Sequence, residues 1–436
     1  MVSRDAMPFD LEWLEDQAMS ARKTCLNEIR FATRDRTLGL WMAVVLMLST
    51  LSVGSGLVEV RHQLKTIENL LGADQQDRVA ESSKLNDWGS AAYYSFHLTY
   101  APPSEFAYAA IGQRDTQPWK HRIRMLALEG QIYEQDVINP SVALIGRFDF
   151  SFLASFVLPL VLIILLYDLK ASERTAGRYN LLESMANRAE SLWRLRAVIR
   201  VSAISVCLIT PMILAGWFAR TGFSTLLLAS CAVLLYAAFW GVVCYGFSAW
   251  RKSGSVILIS LIGCWVLTAV VIPAATRLLV DRLIPVPSGA EILMSQREAV
   301  NDAWDLPKDV TMDAFFKRHP QWSNYQPVQS SFEWQWYYAF QQVGDQKTEQ
   351  LTNAYRNGRL QRDYTASWIS LLAPPSLLER TLQSLAKTDL SAHLAYEKEV
   401  RSFHRALREF YYPKFFLNEA FDKAALANRP EFVAGK

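Results

Sequence analysis

Histidine, cysteine and clustered charge are the side chains here with reach into chemistry, and their spacing limits what each can do. The six histidines are His62, His97, His121, His319, His393 and His404. None forms an HxH or HxxxH pair, and no Cys or Met cluster accompanies them, so the sequence offers no metal-ligand set. His393 and His404 fall on the polar face of a helical stretch that also carries Glu397, Arg401 and Arg408, the ordinary place for solvated histidines. The five cysteines are Cys25, Cys207, Cys231, Cys244 and Cys264, with no CxxC spacing, and the last four lie in apolar blocks. The third set is the charge cluster Asp168, Lys170, Glu173 and Arg174. It follows an aliphatic run without a break in "LPLVLIILLYDLKASERTAG" (158–177). Charges pressed against the end of an apolar rod suit a joint between oil and water. Motifs for catalysis are missing: there is no GxxxxGK[ST], GxSxG or HExxH.

The elements that position these residues are five apolar blocks, roughly Leu38–Leu57, Phe150–Leu169, Val198–Phe218, Phe223–Phe247 and Ser255–Thr276. Each is about 20 residues long, enough to cross a bilayer as a helix. Lipid cannot satisfy backbone polar groups, so each block must be helical. Pro211 and Pro273 sit inside spans, whereas Pro159 is near the start of one. Asp149, Asp168 and Arg277 stand at span ends, and mid-span charge is almost absent. An ion-coupled transporter needs a buried charge near the midplane. With no P-loop either, the energy for any transport has to come from outside the chain.

Basic residues set the orientation. Arg22, Lys23, Arg30, Arg34 and Arg36 precede the first block, the 170–197 loop carries Arg174, Arg178, Arg188, Arg194 and Arg196, and the 249–254 turn has Arg251 and Lys252. These three segments are expected in the cytoplasm, with 58–148 and 277–436 outside. The first block lies too far from the start, and is too long, for a cleavable signal peptide. Net charge is +3, with no basic tract of the kind that binds nucleic acid.

Ahead of the first block, Leu11, Leu14, Ala18, Ala21, Cys25 and Ile29 share one helical face. Two readings stand for this helix: it lies on the cytoplasmic membrane surface, or it packs on a partner protein. The first outer segment has aromatic residues for a small core, and the second is mainly helical by pattern. There Tyr396, Val400, Phe403, Leu407 and Phe410 form the apolar face of one helix, and "LAPPSLLERTL" (372–382) reads as a proline break followed by a new helix.

A span ending in Tyr167-Asp168-Leu169, then Ser172-Glu173-Arg174 and Gly177, resembles the end of the second span in ABC-2 type permeases. Arg178 and Tyr179 replace the Thr-Leu usual there. The helix with "RFATRDRTLGLW" (30–41) resembles the family's N-terminal connecting helix. "PPSEFAYAAIGQRDTQPW", "RMLALEGQIYE", "NPSVALIGRFDFSFL" and "LAPPSLLERTLQSLAKTDL" resemble a large-loop subfamily related to permeases linked to multicopper-enzyme maturation.

The resemblance implies an all-α membrane protein of the bacterial inner membrane, with two mainly helical extracytoplasmic domains. Its parts would be a connecting helix (1–37), a first span (38–57), a first outer domain (58–148), spans two to five (149–276) and a second outer domain (277–436). The family has six spans per chain and five are visible here; a sixth is absent or follows residue 436. Two permease chains, identical or paralogous, would pair in the bilayer above two cytoplasmic ATPase subunits, which bind ATP and Mg. Asp168, Lys170, Glu173, Arg174, Gly177, Glu183 and Arg188 would then serve ATPase coupling; as plain sequence, the same charges equally suit a solvated loop. Two functions remain open: export through the permease, and ATP-driven mechanotransmission to a periplasmic protein held by the outer domains.

Overall fold

The computed structural model describes residues 25–82, 85–134, 148–185, 189–323 and 330–435. Leu11, Leu14, Ala18, Ala21 and Arg188 lie outside these residues, as does the side chain of Glu183. The chain is an all-α protein among the described residues, apart from one two-stranded ribbon. Among the described residues, five helices are long and apolar enough to cross a membrane: Arg36–Ala80, Phe150–Thr175, Ser191–Phe218, Phe223–Ser248 and Gly254–Leu283. Two compact units divide the chain. Unit 1 takes Met1–Gly54, Phe148–Pro273 and Leu372–Leu382; unit 2 takes Ser55–Arg147, Ala274–Leu371 and Gln383–Lys436.

In unit 1 the second span is the central rod, with 67% of its apolar window buried, and it packs against the third, fourth and fifth spans. Its helix runs through Phe150–Phe152, a π-helical turn Leu153–Val157 and Leu158–Leu166. Pro159 has no N–H to give the carbonyl four residues back, that of Ser155. The Tyr236 hydroxyl takes that place, donating across 2.5 Å, and Trp265 Nε1 donates to the next carbonyl, Phe156, at 3.2 Å. A π-helical turn ahead of a proline recurs in the fifth span, where Leu267–Val271 precedes Pro273. "LASFVLP" and "LTAVVIP" are thus matched local sequences with matched backbone. Ser49 of the first span donates to the Leu208 carbonyl of the third at 2.7 Å.

Unit 2 corrects the reading of two outer domains. Segments 58–148 and 277–436 do not make separate cores: Trp88, Ile123, Leu128 and Ile132 of the first pack in one cluster with Phe315, Tyr338, Phe340, Val400 and Leu407 of the second. The aromatic residues of the first segment are too few to bury one another, so they close onto longer helices, Trp334–Ile369 and Leu390–Phe416. Tyr338 stacks on Phe415 at 4.7 Å and donates to the Gly89 carbonyl at 2.8 Å. The ribbon pairs β1 (His97–Tyr100) antiparallel with β2 (Lys120–Ile123), with His97 opposite Ile123. Gly56 belongs to the small-residue run at the end of the first apolar block. A Cβ there would meet the Tyr108 carbonyl oxygen at 1.9 Å, so the close approach is to loop backbone.

Candidate functional site at the end of the second span

The helix of the second span ends at Leu166, and a one-turn helix, Ala171–Thr175, follows. Gly177 ends that turn at φ +70°, a conformation costly for residues with a Cβ. Its N–H donates to Arg174 O at 3.1 Å, and the Arg178 N–H to Glu173 O at 3.0 Å, which completes a Schellman cap. A second short helix, Tyr179–Met185, leads to the long helix Ala189–Phe218.

The charges expected at this joint have partners within unit 1. Lys170 is buried, its Nζ 3.3 Å from the Tyr245 hydroxyl and 4.5 Å from that ring's centre. Arg174 donates from Nη1 to Trp250 O at 2.7 Å and from Nη2 to Ala249 O at 3.5 Å. These carbonyls end the fourth span, where unpaired acceptors and the helix dipole favour a cation. Glu173 holds Arg178 Nε at 2.8 Å. Asp168 faces the start of the fifth span so closely that a Cβ at Gly254 would sit 3.1 Å from its Oδ1. Glu183 is on the second short helix.

Further contacts were invisible as motifs. Arg200 of the third span donates from Nη1 to the Leu165 carbonyl at 2.7 Å and from Nη2 to Asp35 at 3.2 Å. Asp35 in turn accepts from the Thr37 N–H at 3.0 Å at the head of the first span. Arg196 grips Glu28 through both carboxylate oxygens, at 2.8 and 3.2 Å, and Tyr179 stacks on Trp193 at 5.7 Å. The third, fourth and fifth spans therefore meet the end of the second, and the head of the first joins it through Arg200. Cys25 and Ile29 lie on the helix 25–34 that also carries Glu28; Ile29 is exposed and Cys25 half-buried. The signal for the Arg196 and Arg200 pairs was their four-residue spacing, one helical face.

A second polar cluster lies in unit 2 and corrects the reading of a solvated face. His393, Glu397, Arg401 and His404 are on a helix whose exposed stripe runs instead through Ala395, Lys398, Ser402, Arg405 and Glu409; Glu397 and His404 are buried, His404 2% exposed. Arg401 grips Glu129 at 2.8 and 2.9 Å and reaches Glu397 at 3.0 Å; His393 Nε2 is 3.0 Å from Glu397. Burial alone would raise the Glu397 carboxyl, but the His393 hydrogen bond and the Arg401 charge pull it down to about 2. Asp345 goes the other way. Burial and Glu129 push it up to about 7, although it accepts the N–H groups of Leu128 and Glu129 at 2.9 and 3.2 Å. Burial lowers His97 to about 3 and His121 to about 4, so both rings are neutral at pH 7. A cavity of about 600 Å³ beside this cluster is lined by Arg114, Trp119, His393, Tyr396 and Glu399, among others. Among the described residues, no three His, Cys, Asp or Glu side chains are grouped to hold a metal ion.

Among the described residues, five apolar helices and a mainly helical, almost strand-free fold give the class: a helical protein suited to a membrane. Residues 290–434 match a family model described as a domain of unknown function, DUF3526. No curated protein and no solved structure matches the chain.

Proposed function

We propose that this chain is the permease subunit of an ABC-2 type ATP-driven transporter. It acts as an exporter in the bacterial inner membrane, paired with a second permease chain, identical or paralogous. Separate cytoplasmic ATPase subunits hold ATP and Mg and seat on 171–196. The observation that carries this reading is the convergence on the second span's end. Arg174 reaches the fourth span, Arg200 links the third and first to Leu165, and Asp168 abuts the fifth. A load applied to the two short helices is thereby shared by every span. Leu181 offers a docking face, 59% exposed on the second short helix. The ABC-2 resemblance of 167–177 supports the same assignment. The test is the reconstituted complex with Arg174→Ala. Hydrolysis should continue while transport is lost; unchanged transport with unchanged ATPase binding would remove Arg174 from the coupling path.

A second reading, mechanotransmission to a periplasmic protein, is favoured by the single core that the two non-membrane segments share. Such a unit is suited to move as one body. ATP turnover with no passage of any cargo across sealed vesicles would support it over export.

A further inference from the structure

One helix of unit 2, Trp334–Ile369, changes character along its exposed side. Lys347, Glu349, Gln350, Asn353 and Asn357 make that side polar, as expected in water. From Leu360 onward the same side turns mainly apolar: Leu360, Tyr364, Trp368 and then Leu371 are exposed at steps of four, four and three residues, with Gln361 exposed beside them. Tyr364 and Trp368 are 64% and 60% exposed, and their rings meet edge to face at 6.3 Å.

This part of the helix has a defined neighbour. Arg362, on the side away from the stripe, donates from Nε to the Ile284 carbonyl at 2.8 Å and pairs with Asp281 at 2.9 Å, which holds this turn level with the end of helix Ile272–Leu283. That helix exposes Leu278, Leu279 and Leu283, and it is the final part of the fifth span, Gly254–Leu283. Arg277 and Arg282 are exposed among those leucines. Trp and Tyr beside Leu, with Arg at the edge, is the chemistry of the headgroup region: amphipathic rings at the boundary and cations near phosphate.

We propose that the end of helix Trp334–Ile369 rests in the bilayer interface, with Tyr364, Trp368 and Leu371 among the headgroups and upper acyl chains and Arg277 and Arg282 on lipid phosphates. Continuity with a span favours lipid over a protein partner, because exposed leucines on the span's own helix extend to the turns that Arg362 holds level with the stripe. The assignment needs only the spans and does not depend on the ATPase reading.

The test uses the full chain in nanodiscs of phosphatidylcholine and phosphatidylglycerol. Nitroxides are placed by Tyr364→Cys, Trp368→Cys and, as the polar reference, Asn353→Cys, after the native cysteines are replaced. At 364 and 368 the ratio of oxygen to nickel-chelate collisions should be at least about threefold that at 353. A ratio equal to that at 353 overturns the proposal, and so does exclusion of both reagents, which means that protein covers the stripe. Hydroxyl-radical footprinting of the unsubstituted chain guards against misfolded variants. Trp368 should be oxidised at least about threefold more slowly than Trp304, which is 51% exposed in the same unit. Equal rates would overturn the assignment.

Discussion

Arg174 donates from Nη1 to the carbonyl oxygen of Trp250 across 2.7 Å, which joins the first turn after the second span to the end of the fourth. The sequence showed a charge cluster at this place, and the structure turns two of its cations inward. Arg174→Ala should lower stability by about 1 kcal/mol, the worth of a charge-assisted helix cap at a partly exposed site. Thermal unfolding in detergent reads the change. Arg178→Ala, which removes only an exposed partner of Glu173, should leave the midpoint where it is.

Gly177 at φ +70° gives a second expectation. Gly177→Ala forces a Cβ into the left-handed region at a cost of about 1 kcal/mol, and Gly177→Asn recovers part of it. Hydrogen exchange across 171–185 should accelerate in the alanine variant and stay unchanged in the span helices.

The buried cluster of unit 2 fixes the acid limb of stability. Arg401→Met leaves Glu129 and Glu397 without their shared cation and should cost about 3–5 kcal/mol. Glu397 is held near 2 against an ordinary 4.5, so its contribution is complete above pH 4.5 and is lost as pH falls toward 2. The neutral His97 ring, depressed to about 3 from 6.5, adds stability above pH 6.5 that is lost on acidification through its folded value. Unfolding midpoints followed from pH 7 to 3 should decline in the parent and decline less in His97→Phe, which keeps an aromatic ring against Phe403.

Glu379 sets the opposite slope. Burial, then the charge of Asp149, raises its carboxyl to about 7 from 4.5. Its contribution is complete below pH 4.5 and is lost as pH rises through 7. Glu379→Gln, neutral at every pH, should be more stable than the parent at pH 8 by about 1–3 kcal/mol, with little difference at pH 4.5. Midpoints measured at the two pH values check it.

The spans were legible because lipid leaves a backbone one solution, and hydropathy marks where it applies. Their true lengths were less so: the first helix runs on to Ser82 and the third begins at Ala189, since helix continues past the apolar window. The shared core of unit 2 was hidden because its partners are far apart in the chain; Glu129 and Arg401 are separated by 272 residues. Polarity at His393, Glu397 and Arg401 looked like a face for water, and only the fold supplies Glu129 and Tyr133 to pair with it. At the second span's end the residue types were visible, but their inward direction depended on the fourth span's bare carbonyls.

Affinity purification of the full chain with co-expressed neighbours, comparing the parent with Leu181→Glu, tests the central claim most directly. Leu181 is 59% exposed, so the charge should change the unfolding midpoint little. The expected result is a P-loop ATPase bound to the parent and lost from Leu181→Glu. Recovery of no ATPase with the parent, or full retention by Leu181→Glu with undiminished ATP turnover, would contradict it.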